Sequence, residues 1–318
     1  MKKLLVLIIF LLIGFLLVSG FWGNNLLPVS SDQTEKTFLI TKGEALSSII
    51  QRLKENNLIR SELAFSLYLK KEGLDQKIQP GTFKISPSLS SEEIAKILIS
   101  NPEEVWVTLI EGWRVEEVAE ELNLKLGVDK ERFLDEAIEG YMFPDTYLFP
   151  RDYTESQIAK ILQNTFNQKY TEDLKNKIKA QGLTETEGVI LASIVEREGR
   201  SDKVRVEVAS ILLKRFKIDM GLNADATLQY ILGYQEDEKS WWKRHLTNED
   251  KKIDSPYNTY LYRGLPPAPI ANPSLSSLQA VAEADPSTPY LYYYHDSKGN
   301  SHYGRDLDEH NENVANNP

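Results

Sequence analysis

Apolar side chains run almost unbroken from Leu4 to Trp22, directly behind Met1-Lys2-Lys3. About 19 residues at ~1.5 Å rise each cover ~28 Å, close to the hydrocarbon thickness of a bilayer. Lys2 and Lys3 precede the run and no Lys or Arg follows it until Lys36. That bias puts residues 1–3 in the cytoplasm and the chain after Gly23 outside. A cleaved signal peptide is the alternative. Its apolar region is usually shorter, Val18-Ser19-Gly20 is a poor cleavage site, and the run continues through Phe21 and Trp22. Residues 1–23 are therefore expected to be the transmembrane anchor of a single-pass plasma-membrane protein. Residues 24–36, polar and containing Pro28, read as a linker.

Beyond the linker the period changes. Phe38-Leu39-Ile40 reads as a strand, and Leu46, Ile49, Ile50 and Leu53 follow at helical spacing. A second helix is expected from Ser61, carrying Leu63, Phe65, Leu67 and Tyr68. Pro80-Gly81 marks a turn, and Thr82 to Ile85 a short strand. Ser90 and Glu93 have capping-box spacing before Ile94, Ile97 and Leu98. The start of this unit recurs: Gly43, Leu46, Ile49, Ile50 and Leu53 match Gly112, Val115, Val118, Ala119 and Leu122 at an offset of 112 − 43 = 69. Small strand–helix–helix–strand modules bind glycans in some proteins, and a packing duplication without a ligand explains the same pattern.

Further along, Glu139 to Tyr147 is an aromatic loop punctuated by Gly140 and Pro144. Helices are expected over Thr154–Tyr170, from Thr184 and Glu187 (another capping box) through Val195, and over Val204–Phe216. Ser255–Pro273 is a Pro- and Tyr-rich loop, and Pro289–Tyr294 reads as a strand. The fold class expected is α+β.

Composition narrows the chemistry. The 318 residues predict about two domains. With 37 basic against 47 acidic residues the net charge is −10, which argues against a nucleic-acid partner. There is no cysteine, hence no disulfide framework or thiol nucleophile, and the four histidines form no HExxH pair. No G-x-S-x-G elbow, phosphate loop or dinucleotide fingerprint occurs. Carboxyl groups remain. Most are solvated helix faces, but Glu196 ends an apolar helical run before Gly199, where desolvation would keep it protonated near neutral pH. Eight of the fifteen tyrosines fall between residues 257 and 303, and flat rings with a polar edge suit sugar faces. An alternating strand packed on a core explains them equally well.

Leu191-Ala192-Ser193-Ile194-Val195-Glu196-Arg197-Glu198 resembles the Ala-Ser-Ile-Val-Glu-(Lys/Arg)-Glu signature of the endolytic murein transglycosylases, the MltG or YceG-like family. Four further stretches agree in order: Glu139–Tyr147, Ser255–Tyr260, Gly264–Ile270 with Asn272-Pro273, and His310-Asn311. Two stretches depart from the family pattern, Asn223–Thr227 and Tyr303–Leu307, although Asp225, Thr227 and Leu307 keep their places. The resemblance implies a LysM-like subdomain at 37–104 and a catalytic transglycosylase domain at 105–318.

It also implies a reaction. The substrate is the glycan strand of peptidoglycan, cut between N-acetylmuramic acid and N-acetylglucosamine to leave 1,6-anhydromuramyl ends. Such a site is implied to need one carboxyl group, because the C6 hydroxyl of the reacting sugar is the nucleophile. Glu196 is implied as that group, donating a proton and then taking one. Glu198, ~200° around the helix, is expected to point elsewhere. Tyr257, Asn258, Tyr260, Asp225, Thr227, Asp145 and Tyr147 are candidates for substrate contact, with Asp145 and Asp225 also suited to tying cleft loops together. No metal or organic cofactor is implied. Partners are the membrane, through the N-terminal segment, and peptidoglycan synthases of the elongation or division machinery. A non-catalytic peptidoglycan-binding protein and a hydrolytic muramidase remain alternatives at this point.

Overall fold

The computed structural model describes residues 23–100 and 102–317. The expected anchor, apart from Gly23, lies outside the described residues. Among the described residues no helix is long and apolar enough to cross a membrane. The fold is α+β, as the patterning predicts, and it divides into two compact units.

The first unit runs to Val107 and takes in Tyr147–Asp152 as well, so the sharp boundary expected at 104/105 is not the one observed. Its order is β1 (Lys36–Ile40), α1 (Leu46–Glu55), α2 (Glu62–Lys71), β2 (Gly81–Ile85), α3 (Ser91–Leu98) and β3 (Glu104–Thr108), with β4 (Thr146–Pro150) returning to it. The sheet order is β1-β2-β3-β4. β1 and β2 are antiparallel with Phe38 opposite Phe83. Phe83 and Ile85 turn to one face and join Ile49, Ile50, Leu53, Phe65 and Leu69 in a single core. The expected capping box is present, with Ser90 Oγ accepting from Glu93 N–H and Glu93 accepting from Ser90 N–H. Two expectations change. Leu63 and Leu67 face outward, because Ala64, Phe65 and Leu69 fill the buried side of α2. Residues 24–30 are no free linker: Arg60 Nη2 donates to Pro28 O at 2.6 Å, and Ser91 N–H donates to Leu26 O at 2.9 Å.

The second unit comprises Thr108–Thr146 and the chain from Tyr153 onward. It contains α4 (Val115–Leu126), α5 (Lys130–Glu136), α6 (Glu155–Lys169), α7 (Glu172–Ala180), α8 (Glu185–Glu198), α9 (Asp202–Lys217), α10 (Asp225–Leu232), α11 (Leu275–Ala282), a hairpin of β5 (Tyr292–His295) and β6 (Ser301–Gly304), and α12 (Leu307–Asn316). The internal repeat is visible in the elements. Strand, glycine turn and helix recur as β1–Gly43–α1 and β3–Gly112–α4, and both glycines have φ near +80° (82° and 75°). Those backbone angles carry a steric cost for residues with a Cβ. Helix α8 is buried on every side from Gly188 to Val195, with its neighbours α9 and α11 packed along it. A helix apolar all round is a core element.

Candidate active site

The end of α8 carries three charged residues in succession, and each leaves the helix in a different direction. Thr184 and Glu187 close the expected capping box at its start. Ser193 Oγ accepts from Ile270 N–H at 3.0 Å, tying the Pro-rich loop to the helix. The helix then stops at Gly199, where a Cβ would stand 2.5 Å from Arg205 Cγ and 2.9 Å from Arg205 Cα. Only glycine lets α9 come that close.

Successive residues turn ~100° about a helix axis, so Glu196 and Glu198 diverge by ~200°. Glu196 turns into the protein. Its side chain is 3% exposed and is held by an ion pair with Arg205, whose Nη2 lies 2.8 Å from Oε1. Its other oxygen accepts from Ser274 N–H (2.8 Å) and Ser274 Oγ (2.5 Å). Arg197 lies 3.7 Å from the centre of the Trp242 ring and donates to Gly112 O at 3.3 Å. Glu198 alone of the three lines a cleft of about 490 Å³.

That cleft is walled by the tyrosine-rich C-terminal part of the chain. Tyr292, Tyr293, Tyr294 and His295 come from β5, Tyr260 from the loop before Pro273, Asp225 from the first turn of α10, and Leu307 and His310 from α12. Arg215 closes one side; its Nε and Nη1 donate to Leu291 O and Leu222 O, each at 2.6 Å. The ring of His310 stacks on Tyr292 at 5.3 Å, which seats α12 on the hairpin.

Burial pushes the Glu198 carboxyl from 4.5 up to about 7, and the negative charge of Asp225 pushes the same way. The Ala226 N–H, the Tyr293 hydroxyl and the Arg197 charge act in opposition, favouring the ionised form. A carboxyl in that range is populated in both protonation states at neutral pH. Tyr260 Oη donates to Asp225 Oδ1 at 2.6 Å, which fixes Asp225 beside the cleft as an acceptor. Burial, together with the charge of Glu198, raises the Tyr293 phenol well above its ordinary value, so it stays a donor.

The expected contact residues separate into two groups. Asp225 and Tyr260 line the cleft. Asn258 is fully buried behind it. Its Nδ2 donates to Lys251 O and Ile253 O and its Oδ1 accepts from Tyr260 N–H, so it shapes the loop that delivers Tyr260. Thr227, also fully buried, donates to Ala224 O at 2.7 Å and steadies the start of α10 against Thr259. Tyr257 packs on Tyr230 with ring centres 5.1 Å apart. Asp145 is exposed and caps its own chain at Thr146 N–H. Tyr147 lies in β4 of the first unit, stacked on Phe149. None of these five lines the cleft, and the contacts described for them are within the protein itself.

Glu139 and Asn272, from two of the matching stretches, likewise join loops. Asn272 accepts from Met142 N–H (2.8 Å) and donates to Trp113 O (2.9 Å), while Glu139 accepts from Val115 N–H (3.3 Å). Of the cleft residues, His295 and Arg215 were not expected from sequence, and Tyr293 was expected only as one of the eight clustered tyrosines. The clustering of tyrosines around position 292 was their one visible signal.

Comparison with known proteins identifies relatives over most of the chain. The model of the YceG-like family matches residues 38–316. The endolytic murein transglycosylase of Bacillus subtilis (strain 168) is 30% identical over 325 residues, covering 91% of this chain and 87% of that protein. The endolytic murein transglycosylase of Streptococcus pneumoniae serotype 2 (strain D39) is 26% identical over 95% of this chain, which spans 63% of the longer relative. The crystal structure of a YceG-like protein from Listeria monocytogenes has the same fold, with a TM-score of 0.62 at 24% identity over 88% of this chain and 99% of that one. With a family match over nearly its whole length and a relative at this identity, the chain belongs to the YceG-like family.

Proposed function

We propose that the protein is a membrane-anchored endolytic peptidoglycan lytic transglycosylase in which Glu198, and not Glu196, carries the proton. The observation that carries this reading is the placement of Glu198 in a tyrosine-walled cleft with its carboxyl raised to about 7. Glu196 is engaged at both oxygens and turned away from that cleft.

In the proposed cycle, protonated Glu198 donates to the glycosidic oxygen between N-acetylmuramic acid and N-acetylglucosamine as the C1–O bond breaks. The C6 hydroxyl of the muramyl ring attacks C1, and its proton passes to the Glu198 carboxylate. The group returns to its starting state, no water is consumed, and a 1,6-anhydromuramyl end is left. Because the hydroxyl is tethered to the reacting ring, its effective concentration is high and a second catalytic carboxyl is unnecessary. Tyrosine faces in the cleft suit the C–H faces of the sugars, and their hydroxyls suit the sugar rims. Asp225, fixed by Tyr260, tunes Glu198 through its charge.

The same reading covers the rest of the chain. The antiparallel β1–β2 pair with two helices between them supports a LysM-like role for the first unit in holding glycan. The apolar run at 4–22 would place the cleft outside the plasma membrane, where nascent strands leave their synthases, so that cutting limits strand length. The test is muropeptide mass spectrometry on uncrosslinked glycan. Glu198→Gln should release no anhydromuramyl product while Glu196→Gln still does; the reverse pattern returns the assignment to Glu196.

A further inference from the structure

Helix α2 presents an apolar stripe to the outside. Leu63 is 62% exposed and Leu67 41%, one helical turn apart, and the charged Lys71 follows on the same line one turn later. Leu27, 50% exposed, belongs to the segment that enters the first unit. Gly23, Leu26 and Leu27 line a surface cavity of about 620 Å³ together with Tyr68, Lys71 and Glu72 of this same helix end. The entering segment is tied down there. Arg60 Nε and Nη2 donate to Pro28 O at 2.8 and 2.6 Å, Arg60 Nη1 donates to Asn24 Oδ1 at 3.3 Å, and Ser30 N–H donates to Pro87 O at 3.1 Å.

The apolar run ends at Trp22, one peptide bond before Gly23. If that run spans the bilayer, as proposed above, the chain leaves hydrocarbon at Phe21-Trp22, the residue types that favour the headgroup level. Gly23 lines the same cavity as Tyr68, Lys71 and Glu72, so the described chain enters the first unit beside the C-terminal end of α2. We propose that the outward face of α2, with Leu63 and Leu67 as its apolar contacts and Leu27 of the entering segment as a further one, rests in the interfacial layer of the membrane. The first unit is then seated on lipid and does not swing from a tether. Basic Lys70 and Lys71 are offset along the helix by Glu62 and Glu72, so apolar insertion and not headgroup charge drives the contact. The chain's own entry point adjoins this face at Lys71, and that makes the membrane, and not a second copy or a soluble partner, the occupant.

The chain has no cysteine, so single labels can be placed cleanly. Full-length Leu63→Cys and Leu67→Cys proteins, carrying an environment-sensitive fluorophore, are reconstituted into phosphatidylcholine vesicles with and without nitroxide-labelled lipid. Lys84→Cys is the control. Lys84 is exposed on β2, and because Phe83 and Ile85 enter the helix-covered core, it faces the other side of the sheet. The account expects blue-shifted emission and at least two-fold stronger lipid quenching at positions 63 and 67 than at 84, unchanged when anionic lipid is added. Protein that floats with vesicles and resists alkaline carbonate, yet shows equal quenching at all three sites, overturns the docking while leaving the anchor standing. Crosslinking between copies through position 67 without lipid quenching overturns it in favour of a second chain. Protein that fails to float overturns the anchor reading and the docking together.

Discussion

The Glu198→Gln protein should melt at a higher temperature than the parent at about pH 8, and at the same temperature near pH 4. Burial and the Asp225 charge hold the folded carboxyl at about 7 against 4.5 for an unperturbed glutamate. At ~1.36 kcal/mol per pH unit, that difference corresponds to ~3 kcal/mol. Below about pH 4.5 the group is protonated whether the chain is folded or unfolded, and it costs nothing. Between about 4.5 and 7 the unfolded chain gives up the proton and the folded chain keeps it, so stability falls as pH rises; above about 7 the full loss is present. Glutamine keeps the shape of the carboxyl and never ionises, so it recovers the ~3 kcal/mol only on the alkaline side. For a body the size of the second unit this is roughly 6–12 °C in Tm. Paired melts by circular dichroism or calorimetry read it directly. Glu139, also pushed up to about 8 by burial, is common to both proteins and cancels in the difference. A mutant no more stable than the parent at pH 8, or equally stabilised at both pH values, would refute the desolvated-carboxyl argument.

Glu196→Gln should act with the opposite sign. It loses an ion pair whose glutamate is 3% exposed and leaves Arg205 only its pair with Asp202, so stability should fall by ~1–3 kcal/mol in a urea titration while the folded protein cuts glycan within ~3-fold of the parent rate. Asp225→Asn removes the charge that helps keep Glu198 protonated, so the alkaline limb of the kcat/KM profile should move down by ~0.5–1 pH unit; an unmoved or raised limb contradicts the coupling. Gly199→Ala forces a Cβ to 2.9 Å from Arg205 Cα and should cost ~1–3 kcal/mol by the same titration.

Local signals carried much of the fold. The boxes at Ser90/Glu93 and Thr184/Glu187 were legible because both halves of each lie within four residues. The repeat at Gly43 and Gly112 was legible because a positive φ and a following apolar face recur together. Position across the fold was not legible. Leu63 and Leu67 fit a helical pattern, but Ala64, Phe65 and Leu69 form the phase that meets the core. The choice between Glu196 and Glu198 has the same origin. Both follow a buried apolar run, and their divergence was predictable from the helix. Which direction is the cleft depends on β5 and α12, about a hundred residues downstream. Asn258, in a matching stretch, and Thr227, which keeps its place in a departing one, both shape loops, a role no motif distinguishes from substrate contact.

The central claim is that one carboxyl, Glu198, moves a proton while the sugar's own hydroxyl does the attacking. Cleavage of uncrosslinked glycan in ¹⁸O-labelled water, followed by mass spectrometry of the released ends, tests it most directly. The account predicts muramyl ends one water lighter than the hydrolytic product, free of ¹⁸O, and none from Glu198→Gln. Reducing ends carrying ¹⁸O, or undiminished product from the mutant, would contradict it.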